Sequence, residues 1–239
     1  MGPSRHRGKL PHEFDHQHGD VSGGWLRAAT FGAMDGLVSN TALIAGVGAA
    51  ADAETVVLGG FAGLAAGAFS MALGEYTSVQ TANEQVESEV RVERRAIRMY
   101  PRAEAAELAR SLQEIGLSRE TAERAAVEIH RDEDTAVNVH LVREIGVDPQ
   151  ETPSPLVAAV SSFLTFALGA LIPLIPYLLG FESLWLGLSA GGLGLILVGA
   201  VTSRFTRKPL WLASGRQLLF GLLAIAATYA VGSLVGAVT

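Results

Sequence analysis

The chain has 239 residues and no cysteine, which excludes a disulfide framework and a thiolate metal site. Hydrophobic residues make up 49% of it, more than an ordinary soluble domain carries, and they gather into long runs. Its basic residues alternate with acids under a net charge of −6, so nucleic acid is not an expected partner.

Residues 1–24 are polar and read as a disordered cytoplasmic N-terminus. HEFDHQHGD within them holds His12, His16 and His18 beside acids, a metal-scavenging pattern or simply a polar tail. The first apolar run is too long for the core of a cleaved signal.

Apolar runs then cover 28–51, 56–76, 156–181, 184–203 and 217–239. Each is near the ~20 residues that a helix needs to cross a bilayer core. The expected fold is all-α: an integral membrane protein with five transmembrane helices. Spans 1 and 2 fall in 25–76, and spans 3 to 5 in 156–239. A cytoplasmic helical metal-binding domain, 77–155, lies between spans 2 and 3.

Span 1 contains FGAMDGLVSN, with Asp35 as the one charge between Arg27 and Asp52. An ionised Asp at a helix centre costs ~2.5–3.5 kcal/mol on insertion scales, and such acids mark ion or proton pathways. Ser39, Asn40 and Thr41 extend the polar patch. The simpler alternative is an interhelical hydrogen bond that glues the bundle. Span 2 carries Gly59, Gly63 and Gly67 at small-xxx-small spacing for close helix approach. SMALGEY then places Met71 and Glu75 at i,i+4, where Glu75 is either a pathway acid or a solvated interface residue.

The insert 77–155 holds most of the acids and ten arginines, Arg91 to Arg143. Span 2 has no helix breaker after Gly74, so its helix should continue to about Tyr100. Pro101 suits the first turn of a helix that ends near Gly116. Ser118 suits the N-cap of a third helix, to about His130. A fourth covers 132–145 and stops at Gly146. Glu104 and Glu107 are i,i+3, His140 and Glu144 are i,i+4, and Glu93 on the long helix could close the same site. Carboxylates with an imidazole suit Mn²⁺ or Fe²⁺. Taken singly, each of these glutamates also fits a solvated, salt-bridged helix surface. Pro173 and Pro176 in LIPLIPY should kink span 3 and loosen backbone carbonyls.

All 18 Lys and Arg fall on one side of a five-span arrangement: before span 1, between spans 2 and 3, and between spans 4 and 5. The positive-inside rule makes that side cytoplasmic and puts the C-terminus outside. Two Lys against sixteen Arg point to a GC-rich coding sequence and hence a bacterial plasma membrane. No nucleophile–base pair, phosphate loop or dinucleotide fingerprint speaks for an enzyme, and no prosthetic group is expected.

FGAMDGLVSN, SMALGEYTSV, the acidic insert and ALGALIPLIPY resemble, in this order, the vacuolar iron transporter family, across residues 23–239. The resemblance implies a five-span homodimer that exports Fe²⁺, often with Mn²⁺, against inward proton movement. The path would run between the two first spans. By motif, Asp35 matches the family's pathway aspartate and Met71 its pathway methionine. Glu93, Glu104, Glu107 and Glu144 match glutamates of its metal-binding domain. Plant members have a glutamate where this chain has Ala96 and a methionine pair where it has His140 and Leu141. They also have a glutamate at the position of Gly63 and a glycine at that of Glu75. The insert therefore has one carboxylate fewer, and an imidazole in place of thioether.

On this reading the insert gathers the ion, and Glu75 and Met71 hand it to Asp35. Two other classes fit the spans: a passive divalent-cation channel, and a membrane-anchored metal sensor or interaction protein.

Overall fold

The computed structural model describes residues 24–150, 152–206 and 208–237, and every regular element in them is helical. The N-terminal histidines His12, His16 and His18 lie outside these residues.

Helix α1 (Gly24–Gly48) leads into α2 (Ala53–Met99). Asp52 caps α2, its side chain accepting from the Thr55 N–H at 3.0 Å. The 47 residues of α2 make a rod of about 70 Å, more than twice a bilayer's hydrocarbon thickness. Its first half is apolar and its second half is Glu- and Arg-rich, with no breaker before Tyr100. One helix thus carries both a membrane-like segment and a polar stalk.

Three short helices follow: α3 (Pro101–Glu114), α4 (Arg119–Ile129) and α5 (Glu133–Glu144). Their starts follow from the sequence. Pro101 occupies the first turn of α3. Ser118 accepts from Thr121 N–H, and Asp132 accepts from Thr135 N–H at 2.8 Å. Gly146, just past α5, has a φ of 70°, a left-handed conformation that favours glycine. The insert has two small cores. Leu108 and Ala109 of α3 pack on Ala122 and Ala126 of α4. Ile97 of α2 packs on Ala136, Val137 and Leu141 of α5. Arg94 reaches Asp134 at 2.6 Å and Arg98 reaches Glu133 at 2.7 Å, so the same α2–α5 seam is also ion-paired.

Ser154 and Pro155 start α6 (Pro155–Leu171), which passes through a 3₁₀ turn (Ile172–Leu174) into α7 (Ile175–Leu178). Pro173 sits in that turn and has no N–H to continue the ladder. This is the break expected from LIPLIPY. Helices α8 (Leu184–Thr206) and α9 (Leu210–Gly236) complete the described chain.

Among the described residues, four segments are long and apolar enough to cross a membrane: α2, Pro155–Leu178, Leu184–Arg204 and Leu210–Gly236. The molecule is an integral membrane protein. Helix α1 has the length but not the apolarity, because Arg27, Asp35, Ser39 and Asn40 interrupt it. It is instead a deeply packed helix, with Leu37, Ile44 and Ala45 fully buried. It lies closest to α6. A methyl group on Gly36 would come within 2.2 Å of the Phe166 carbonyl, and one on Gly169 within 2.5 Å of the Ala33 carbonyl. Only glycine allows the two backbones to meet this closely. That contact sets the floor of the space described next.

Candidate metal pathway and candidate metal centre

Helices α1, α2 and α6 leave a cavity of about 450 Å³ between them. Asp35, Ser39 and Asn40 line it from α1, and Gly63, Gly67, Met71 and Glu75 from α2. Phe166 of α6 closes its back. The structure therefore brings the three pathway candidates, Asp35, Met71 and Glu75, to one space. The glycine series of α2 serves that space more than it serves backbone contact. A methyl on Gly67 would strike the Phe166 ring at 2.2 Å, and one on Gly63 would meet the Leu43 side chain at 2.8 Å.

The polar patch of α1 is more selective than its composition suggested. Ser39 Oγ donates to the Asp35 backbone carbonyl, and Thr41 Oγ1 to the Leu37 carbonyl at 2.5 Å. Both hydroxyls are satisfied within their own helix. The interhelical bond comes from Asn40, whose Nδ2 donates to the Ala170 carbonyl of α6 at 2.6 Å. Asp35 is half-buried, and none of the hydrogen bonds or ion pairs among the described residues engages its carboxylate. The glue expected as the alternative role for Asp35 is thus supplied by its neighbour.

Glu75 is neither a solvated residue nor an unpaired one. Its Oε1 lies 2.6 Å from Arg27 Nη2, and its side chain is 11% exposed against 67% for Arg27. The pair ties α1 to α2 at one end of the cavity.

The second site lies where α2, α3 and α5 meet. Ligand atoms of Glu93, Glu104 and His140 all fall within 4.8 Å of one another, a spacing that one metal ion could bridge. His140 is 1% exposed and Glu93 9%. His140 Nδ1 stands 3.1 Å from Glu93 Oε1 and 2.9 Å from Glu144 Oε1. Its Nε2 and Glu93 Oε1 are buried without a hydrogen-bond partner. Burial pushes the Glu93 carboxyl above its ordinary range; nearby His140 opposes this, and Glu144, Glu104 and Glu107 add to it. A buried carboxylate with an unsatisfied oxygen, ringed by further acids, would be relieved by a cation. Glutamate and imidazole suit Mn²⁺ or Fe²⁺.

Of the five residues expected here, Glu93, Glu104 and His140 converge, and Glu144 reaches the imidazole. Glu107 is exposed and stays outside the converging set, acting on it only through charge. The next residue, Leu108, is buried in the α3–α4 core and turns Glu107 outward. His130 was not singled out from sequence. Its ring meets that of His140 edge to face, with centroids 5.2 Å apart, and its Nδ1 lies 2.8 Å from the Ala126 carbonyl. Only the folding of α4 against α5 brings these two imidazoles together.

A family model described as the VIT family matches residues 26–233. The chain is 32% identical over 221 residues to vacuolar iron transporter homolog 1 of Arabidopsis thaliana, covering 89% of this chain and 84% of that protein. It is 33% identical over 220 residues to a vacuolar iron transporter of Acanthamoeba castellanii, covering 88% and 78%. Vacuolar iron transporter 1 of Oryza sativa subsp. japonica is 28% identical over 219 residues, covering 90% and 87%.

Proposed function

The chain belongs to the VIT family, and from that premise we propose that it carries Fe²⁺, and also Mn²⁺, out of the cytosol in exchange for protons. The observation that carries the reading is the cavity between α1, α2 and α6, lined by Asp35, Met71 and Glu75. In this reading α1 is a fifth span, admitted despite its polar residues because other helices surround it. The N-terminus and the insert are cytoplasmic, as the one-sided arginines require. The membrane is a bacterial plasma membrane. Two copies pair, so that each acid of the path is present twice.

The ion binds first at Glu93, Glu104 and His140, with Glu144 beside the imidazole and Glu107 adding negative charge. Glu75 lies 18 residues before Glu93 on α2, about 27 Å along the helix. The two sites are therefore separate stations, and the insert raises the local metal concentration instead of passing ions hand to hand. At the mouth, an arriving cation takes the Glu75 carboxylate from Arg27, whose exposed side chain can turn to solvent. Met71 supplies a soft thioether and Asp35 a carboxylate further in. Acids that lose a metal ion can take up protons, which couples the two fluxes.

The test is purified protein in liposomes, with Fe²⁺, Mn²⁺, Co²⁺ and Zn²⁺ flux measured with and without a pH gradient. Fe²⁺ and Mn²⁺ flux that rises with the gradient and moves protons is the expected result. Metal flux without proton flux would make the protein a passive channel. No flux with intact metal binding would make it an anchored sensor.

A further inference from the structure

Asn40 is 2% exposed, yet only half of its amide is used. Its Nδ2 donates to the Ala170 carbonyl, while its Oδ1 is buried and accepts no hydrogen bond. The orientation follows from chemistry. A carbonyl only accepts, so the NH₂ group must face Ala170 and the oxygen must face away. Ala170 lies just before the 3₁₀ turn that contains Pro173, where the regular backbone ladder of the span is interrupted.

Asn40 belongs to the cavity wall that also holds Asp35 and Met71. Gly63 stands opposite it, and a methyl there would lie 3.2 Å from Oδ1. Glycine at that position keeps the space in front of the oxygen clear. Asn40 follows Asp35 by five residues, which puts it about 7.5 Å further along α1, away from the Arg27–Glu75 end. A buried amide oxygen without a donor calls for a partner absent from the protein itself, such as an ion. Amide oxygens suit hard divalent cations.

We propose that Asn40 offers its amide oxygen as a neutral ligand to a divalent cation beyond Asp35, aimed by its hydrogen bond to Ala170. The proposal rests on the metal-path reading above. A neutral ligand replaces hydration water without adding charge, so the ion can still leave toward the far side.

The experiment measures Mn²⁺ flux against concentration in proteoliposomes for wild type, Asp35→Ala, Asn40→Leu and Asn40→Asp. Asn40→Leu removes the oxygen and should raise KM by about tenfold, the lower end of what losing a metal-site partner costs. Asn40→Asp supplies a charged oxygen and should lower KM while also lowering maximal flux, because release slows. Opposite movements of KM support a ligand. A purely structural Asn40 would move both variants the same way, and that result, or an unchanged KM, overturns the proposal. If Asn40→Leu does not purify as a folded protein, a raised or unchanged KM in Asn40→Asp is sufficient to overturn it. Absence of flux in wild type would instead overturn the transport reading, and leaves a different signature from wild-type flux with unaffected Asn40 variants.

Discussion

Helix α2 contributes to two groups of candidate metal ligands, and they are built in opposite ways. At Glu93 the ligand atoms converge: three residues from three helices fall within 4.8 Å, and two of them are buried. Around Asp35 the candidates are spread along a glycine-lined cavity, and Glu75 is already held by Arg27. A convergent site holds an ion; a dispersed row of single ligands lets it move on. The difference fits a capture site set apart from a path, and mutations can break that comparison.

The largest effect is expected at Asp35. Replacing it with Ala should lower Mn²⁺ flux about a hundredfold, the upper end for a lost metal-site group, while equilibrium dialysis shows unchanged binding at the insert. Wild-type-like flux from Asp35→Ala would sink the path. The mirror experiment is His140→Ala. It should weaken equilibrium Mn²⁺ binding about tenfold or more yet leave flux at saturating metal close to wild type. If flux at saturation falls as far as binding does, the two sites are one functional unit.

Glu104 and Glu107 sharpen the picture of the capture site. Glu104→Ala should weaken Mn²⁺ binding about tenfold, measured by isothermal titration. Glu107→Ala should have a smaller effect that disappears at high salt, as expected of an exposed charge. Equal losses would mean that Glu107 swings in as a ligand.

A pH experiment probes the buried acid, Glu93, directly. The Glu93 carboxyl is raised by burial, so the folded protein favours its protonated form. Its contribution to stability is present below the ordinary glutamate range and is lost as pH rises through the raised value. Thermal unfolding of metal-free protein should therefore shift downward over that window. Glu93→Gln should flatten the shift, and a profile identical to wild type would show that Glu93 titrates normally. The smallest effect belongs to Arg27→Gln. The Arg27 end of the pair is solvent-exposed and screened by salt, so flux should change about twofold, with reduced salt dependence. A large loss would make Arg27 part of the path.

Much of the fold could be read from local signals. The helix starts at Asp52, Pro101, Ser118 and Asp132 reflect capping chemistry, which involves only neighbouring residues. The run from span 2 into the stalk was legible because no breaker interrupts it before Tyr100. The break at Pro173 was legible because proline lacks an N–H. The polar patch on α1 was visible too, but not the division of labour within it. Serine, threonine, asparagine and aspartate look alike to a composition argument. Which of them bonds its own helix, and which bonds another, depends on where α6 lies.

The same limit explains the misses at both sites. Glu75 and Arg27 are 48 residues apart, and nothing local pairs them. Glu107 has helical spacing with Glu104, but the packing of Leu108 into the α3–α4 core turns it outward. His130 came into view only once α4 and α5 were packed.

By itself, the sequence determined the helices, the apolar lengths, the cap positions and the types of candidate metal-ligating side chain. These follow from interactions within a few residues and from the cost of placing charge in lipid. The tertiary structure decided which ligand atoms meet, which acid is paired, and that the Asn40 oxygen is left bare beside Gly63. Those outcomes depend on contacts between helices far apart in sequence, fixed by the close approach of α1 and α6 at Gly36 and Gly169.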